Sequence, residues 1–85
     1  MAIEDFAEHI QSKEDCEEFL RRLVQDLEAN REQWSNATLE QFLDGLYGFA
    51  HDMQGYYRNR GEKVDFNRPT WRIFADLLLA ARVYE

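Results

Sequence analysis

The sequence predicts an all-α protein: a compact antiparallel bundle of three long helices plus a short N-terminal helix, in one domain over residues 1–85. Three observations carry this. Apolar residues recur at three- and four-residue spacing in four separate segments, the period that gives a helix one buried face. Helix-start signals precede three of those segments. No stretch alternates apolar and polar residues between turn signals, so strands are not expected.

Ile3, Phe6, Ala7 and Ile10 fall at i, i+3, i+4 and i+7 and predict the short first helix. Ser12-Lys13-Glu14-Asp15 then resembles a capping box, with Asp15 in place of the usual Glu or Gln. Glu14, Asp15, Glu17 and Glu18 crowd the first turns, where the helix dipole favours carboxylates. Cys16, Phe19, Leu20, Leu23, Val24 and Leu27 form the apolar stripe of this second helix, which should run to about Asn30 or Arg31. Trp34 follows in a short connection. It reads as a plug for the end of the bundle or as an exposed contact.

Thr38-Leu39-Glu40-Gln41 is a second capping box. Leu39, Phe42, Leu43, Leu46, Tyr47, Ala50 and Met53 continue at helical spacing, and Gly55 is the expected C-terminal cap. Gly45 and Gly48 lie inside this helix at about 1 kcal/mol each against alanine. They ask for a close neighbour in the fold, a second copy of the chain, or a groove. Asn67 is the candidate cap of the last helix and Pro69 its first-turn proline. Trp71, Phe74, Ala75 and Leu78, with Leu77, Ala81 and Tyr84, make that helix apolar over a wide arc. It should pack most centrally.

Composition excludes several classes of function. One cysteine allows no internal disulfide framework, and no CxxC spacing suggests zinc. Cys16 lies among Glu14, Asp15, Glu17 and Glu18, which oppose a thiolate, so it reads as core. His9 and His51 are the only histidines and have no metal-ligand spacing. A general acid–base role for His51 with Asp44 or Asp52 is conceivable, although adjacent helical residues point about 100° apart. No activated serine, phosphate loop or HExxH occurs. No catalytic site, cofactor or metal is therefore expected. Asn36-Ala37-Thr38 matches the N-glycosylation pattern but reads as cap chemistry. The first residues have no signal-peptide character, and the longest apolar run, Leu77 to Ala81, cannot span a bilayer. A cytoplasmic location and no membrane partner are the expectation.

Charge is unevenly spread. The chain carries −7 overall, but Tyr56 to Arg72 holds five cations against two acids, with four of the twelve aromatics. The acidic balance disfavours nucleic acid, and a protein partner, basic in character, is the leading expectation. The candidate contacts are Glu14, Glu17 and Glu18 on one side and Tyr56, Tyr57, Arg58 and Arg60 on the other. The 56–72 segment has two readings. It is an internal counterweight to the acidic helices, or a weak site for single-stranded nucleic acid through Tyr56, Tyr57, Arg58, Arg60 and Arg68. A non-enzymatic interaction module, immunity- or antitoxin-like, leads. A homodimer joined by the glycine side of the third helix, or by acidic face on basic loop, is the alternative.

Ser12-Lys13-Glu14-Asp15, Phe19-Leu20, Asp26-Leu27, Asn30, Trp34-Ser35-Asn36, Thr38-Leu39-Glu40, Tyr56-Tyr57, Pro69-Thr70-Trp71 and the ending Ala75 to Tyr84-Glu85 form a pattern. It resembles a family of short bacterial proteins known only as a domain of unknown function, across nearly the whole chain. The resemblance implies a bacterial, cytoplasmic helical domain and brings no activity, cofactor or catalytic residue.

Overall fold

The computed structural model describes residues 2–85, and all regular structure among them is helical. Four α-helices follow in order: α1 (Ile3–Ala7), α2 (Lys13–Asn30), α3 (Leu39–Asn59) and α4 (Trp71–Ala81), with a 3-10 turn at Arg31–Gln33. Ser12 caps α2 by accepting the Asp15 N–H (3.0 Å). Asp15 reaches back to the Gln11 N–H (3.1 Å), one residue before the cap. Thr38 and Gln41 close the expected box at the start of α3, satisfying backbone donors that the first helical turn leaves open.

Two predicted boundaries move. α3 does not stop at Gly55. It runs on to Asn59 because Tyr56 and Tyr57 extend the apolar period of Met53 and bring aromatic packing with them. The left-handed residue that ends it is Gly61 (φ 73°). The Gly61 N–H donates to the Arg58 carbonyl (3.0 Å) and the Glu62 N–H to the Tyr57 carbonyl (2.9 Å), a Schellman ending. At α4 the cap is Thr70, whose hydroxyl accepts the Ile73 N–H (3.2 Å). Asn67 instead belongs to a turn, its N–H on Asp65 Oδ1 (3.0 Å). Pro69 precedes the cap, where it favours the extended backbone that leads in.

α4 packs on each of the other three helices, while the backbones of α2 and α3 do not approach one another. The central place expected for the last helix is thus observed. Ala75 and Leu79 of α4 meet Ala7, Ile10, Cys16, Phe19, Leu23 and Trp34 in one buried cluster. Cys16 is core, and burial pushes its thiol up. Trp34 plugs the core beside α3, stacking on Phe42 at 6.0 Å.

Its indole N–H donates to Asp26 Oδ2 (2.8 Å). Arg82 Nη1 donates to the same oxygen (2.9 Å), and Asn30 Nδ2 donates to Asp26 Oδ1 (3.1 Å). Burial alone would raise the Asp26 pKa, but these three donors outweigh it and hold the carboxyl below its ordinary value. Arg82 also reaches Glu4 (3.1 Å) and the Leu79 carbonyl (3.0 Å).

Beside this knot the chain end folds over α3. Asn36, buried, donates from Nδ2 to the carbonyls of Ala81 (3.0 Å) and Tyr84 (2.8 Å). Its own N–H donates to the Arg82 carbonyl (2.8 Å). A Cβ on Gly45 would stand 2.7 Å from Asn36 Nδ2 and 2.8 Å from the Ala81 carbonyl oxygen. One on Gly48 would meet the Tyr84 ring at 3.2 Å. The reason for two glycines inside α3 is therefore intramolecular: the C-terminal segment occupies the space that side chains would fill.

Candidate interaction surface

The basic segment divides into an inner and an outer part. Tyr57 is the inner anchor, 2% exposed, its O–H donating to Asp76 Oδ2 of α4 (2.6 Å). Burial, then the Asp76 carboxylate, raises the phenol well above its usual range. Burial likewise raises Asp76, against the pull of Tyr57 and Arg72. Arg72 holds Glu62 (2.9 and 3.2 Å), tying the loop to α4. Its Nε, buried without a hydrogen-bond partner, lies 3.7 Å from Asp76 Oδ2. Arg60 Nη2 donates to Glu8 Oε1 (2.8 Å) and Nη1 to the Tyr56 hydroxyl (2.6 Å). The Arg60 hydrogen bond holds the Glu8 carboxyl below the carboxylate range. Tyr56 lies edge-on to Phe49 and to Tyr57. Of the four contacts predicted here, Tyr57 is thus enclosed, while Tyr56 and Arg60 are engaged by the fold although partly exposed. Arg58 alone is exposed with no carboxylate near it.

Of the outer part the sequence pointed to Arg58 and, in the nucleic-acid reading, to Arg68, but not to Lys63, Phe66, Trp71 or Phe74 as contacts. Among the described residues four cations lack a carboxylate within ion-pair distance: Arg31, Arg58, Lys63 and Arg68. Three of these belong to the 56–72 segment. Lys63 and Arg68 line a cleft of about 1150 Å³ that also includes Ile10, Pro69, Trp71 and Phe74. Trp71 and Phe74 are exposed and lie edge to face, 6.5 Å between centroids. Across the ridge of Lys63 and Val64 a smaller cleft of about 440 Å³ is lined by Arg58, Gln54 and Phe66. Free cations and solvent-facing aromatics therefore share one end of the molecule. A sequence signal existed: Trp71 and Phe74 sit in the first turn of α4, before the helix is covered.

The acidic candidates fare differently from one another. Glu18 is held by Arg21 (2.6 Å) and Arg22 (2.9 Å), and those hydrogen bonds lower its pKa to about 2. Glu17 lies 3.8 Å from Lys13. Glu14 is exposed and has no cation within ion-pair distance. The three do not converge on a cleft with the loop residues. His51 departs from the expected geometry: its Nδ1 lies 3.0 Å from Asp52 Oδ1, because both exposed side chains swing toward each other across the helix surface. Asp52 also accepts from the Tyr84 hydroxyl, which with His51 holds its carboxyl low. This pair lies outside the cleft at the start of α4. Among the described residues no group of three or more His, Cys, Asp and Glu side chains could hold a metal ion. No helix there is long and apolar enough to cross a membrane.

No curated protein and no solved structure matches the chain. A family model does match, over residues 12–85, and its description is a family of unknown function, DUF7660. That span takes in α2, α3, α4 and the outer cleft apart from Glu8, Ile10 and Gln11, which follow α1. The chain belongs to this family of unknown function.

Proposed function

We propose that the protein is a non-enzymatic interaction module of the bacterial cytoplasm, and that it binds another protein through the end of the molecule built by the 56–72 segment and the start of α4. The single observation behind this is the pairing census: the described cations elsewhere, apart from Arg31, have carboxylate partners, whereas Arg58, Lys63 and Arg68 stand free beside Phe66, Trp71 and Phe74. Aromatic and Arg anchors near a concave surface are what protein interfaces enrich. Three free cations suit a segment carrying carboxylates next to apolar side chains. The course of α3 along α4 supports this reading: the first half of α3 lies against the end of α4 at Gly45 and Ala81, and its last turns against Asp76.

Single-stranded nucleic acid is the weaker ligand, because three cations on a chain of −7 neutralise few phosphates. The immunity- or antitoxin-like reading, capture of a basic protein on Glu14, Glu17 and Glu18, stands second. Arg21, Arg22 and Lys13 already draw on two of those carboxylates.

Affinity capture from the native host, with the retained protein identified by mass spectrometry, separates these. A partner lost with Lys63→Glu plus Arg68→Glu and kept with Glu14, Glu17 and Glu18 changed to Lys supports the proposal. The reverse pattern transfers the function to the acidic face. Nuclease-sensitive retention moves it to nucleic acid.

A further inference from the structure

α3 carries a second feature that neither the core nor the cleft uses. Leu39 and Tyr47 are 73% and 74% exposed, and Leu43, between them, is also largely open. Single exposed apolar side chains are ordinary on a protein surface. These three stand at i, i+4 and i+8, so they stack one above another along a single stripe, with exposed Ala50 continuing it. A stripe of this kind on a surface helix is a seam for another helix.

We propose that the seam binds the α3 of a second copy of this chain, the two helices antiparallel and crossing at Tyr47. The charges beside the stripe choose this occupant. Glu40 and Asp44 flank its N-terminal half, and Arg58 lies on the same side of the C-terminal half, with none of the three engaged in an ion pair. A basic helix would meet Arg58, and an acidic one would meet Glu40 and Asp44. A second α3 placed antiparallel brings the acids of each copy toward the Arg58 end of the other. With the axis at Tyr47, Glu40 faces Gln54 of the other copy, one turn from Arg58. The opposed helix dipoles favour the same arrangement. The contact is isologous and closes on itself as a dimer.

The glycine side of α3, expected from sequence as a dimer surface, is filled by Asn36, Ala81 and Tyr84 and does not take part. The seam shares Arg58 with the surface proposed above but leaves Lys63, Arg68, Trp71 and Phe74 of the cleft at the start of α4 free, so the two proposals are tested by different variants. Twenty-one residues make a strip about 31 Å long and about 10 Å wide. That is smaller than the ~800 Å² each partner gives to a standard interface. Two copies of −7 also repel. The dimer is therefore weak, at the low end of interface sizes.

Sedimentation equilibrium of the purified chain over a concentration series reaching millimolar tests this. The expected result is a reversible monomer–dimer equilibrium that Leu43→Glu shifts to monomer throughout, with its thermal unfolding unchanged because Leu43 is exposed. Glu40→Arg weakens the dimer about threefold to tenfold, and adding Arg58→Glu restores it. Under oxidation Tyr47→Cys cross-links two copies, whereas Leu39→Cys, about 24 Å from its counterpart along an antiparallel pair at 1.5 Å per residue, does not. A wild-type chain that stays monomeric at millimolar concentration overturns the proposal. So does a dimer that survives Leu43→Glu, or one cross-linked through Leu39→Cys and not through Tyr47→Cys.

Discussion

The two ends of α3 are built on opposite terms. At its start, Trp34, Asn36, Asp26, Arg82 and the C-terminal segment close over the helix, and each polar side chain there has a partner. At its far end, Tyr57 and Asp76 anchor the chain inside. Beyond them Arg58, Lys63, Arg68, Phe66, Trp71 and Phe74 face outward with little to hold them. The difference separates stability from recognition. Buried hydrogen-bonded groups cost much to break because the partner left behind is stranded. Exposed, unpaired cations cost almost nothing to change and are free to meet something else.

The largest effect should come from breaking the closed end at its centre. Asp26→Ala strands the Trp34 N–H and takes from Arg82 its enclosed carboxylate, leaving it the exposed Glu4 and the Leu79 carbonyl, and should cost about 3 kcal/mol, the range for removing one partner of an enclosed pair; denaturant unfolding measures it. The same residue gives a pH dependence. Its folded pKa lies below the unfolded value, so its contribution is complete above the unfolded pKa of about 3.9 and is lost as pH falls through the folded one. Asp26→Asn should therefore make the loss of stability below about pH 4 shallower than in the wild type.

Gly45→Ala comes next. Its Cβ would press on Asn36 and on the Ala81 carbonyl, and about 2 kcal/mol is expected for such overpacking. Gly55→Ala should have the opposite sign. Nothing lies within 4 Å of the position, so alanine raises the melting temperature by the worth of about 0.5–1 kcal/mol. If Gly45 and Gly55 responded alike, glycine would be acting in α3 through backbone freedom alone. The smallest effect belongs to the open end: Lys63→Glu with Arg68→Glu should change unfolding free energy by no more than about 0.5 kcal/mol.

Much of the closed frame was legible in the chain. Ser12 and Thr38 announce their helices because cap chemistry is local, and the stripe from Cys16 to Leu27 turns α2 inward through Cys16, Phe19 and Leu23, although Leu20 and Val24 on its edge stay exposed because no helix covers that side. Gly55 misled because a glycine at a helix end and a glycine inside one look alike in sequence. Tyr56 and Tyr57, still in period with Met53, were the better guide. Asn67 and Thr70 compete as caps on equal chemistry, and only the Asp65 turn decides between them. The Asp26–Arg82 pairing spans 56 residues and leaves no local trace. In the candidate surface the change of sign after Tyr56 pointed to the right stretch. It could not tell Arg60, which finds Glu8 across the fold, from Lys63 and Arg68, which find nothing.

Amide hydrogen exchange on the chain, free and bound to the protein it captures, tests the central claim most directly. Binding should slow exchange from Arg58 through the first turn of α4, leaving the amides around Ser12 to Glu18 unchanged. Protection confined to those first turns of α2 would contradict it.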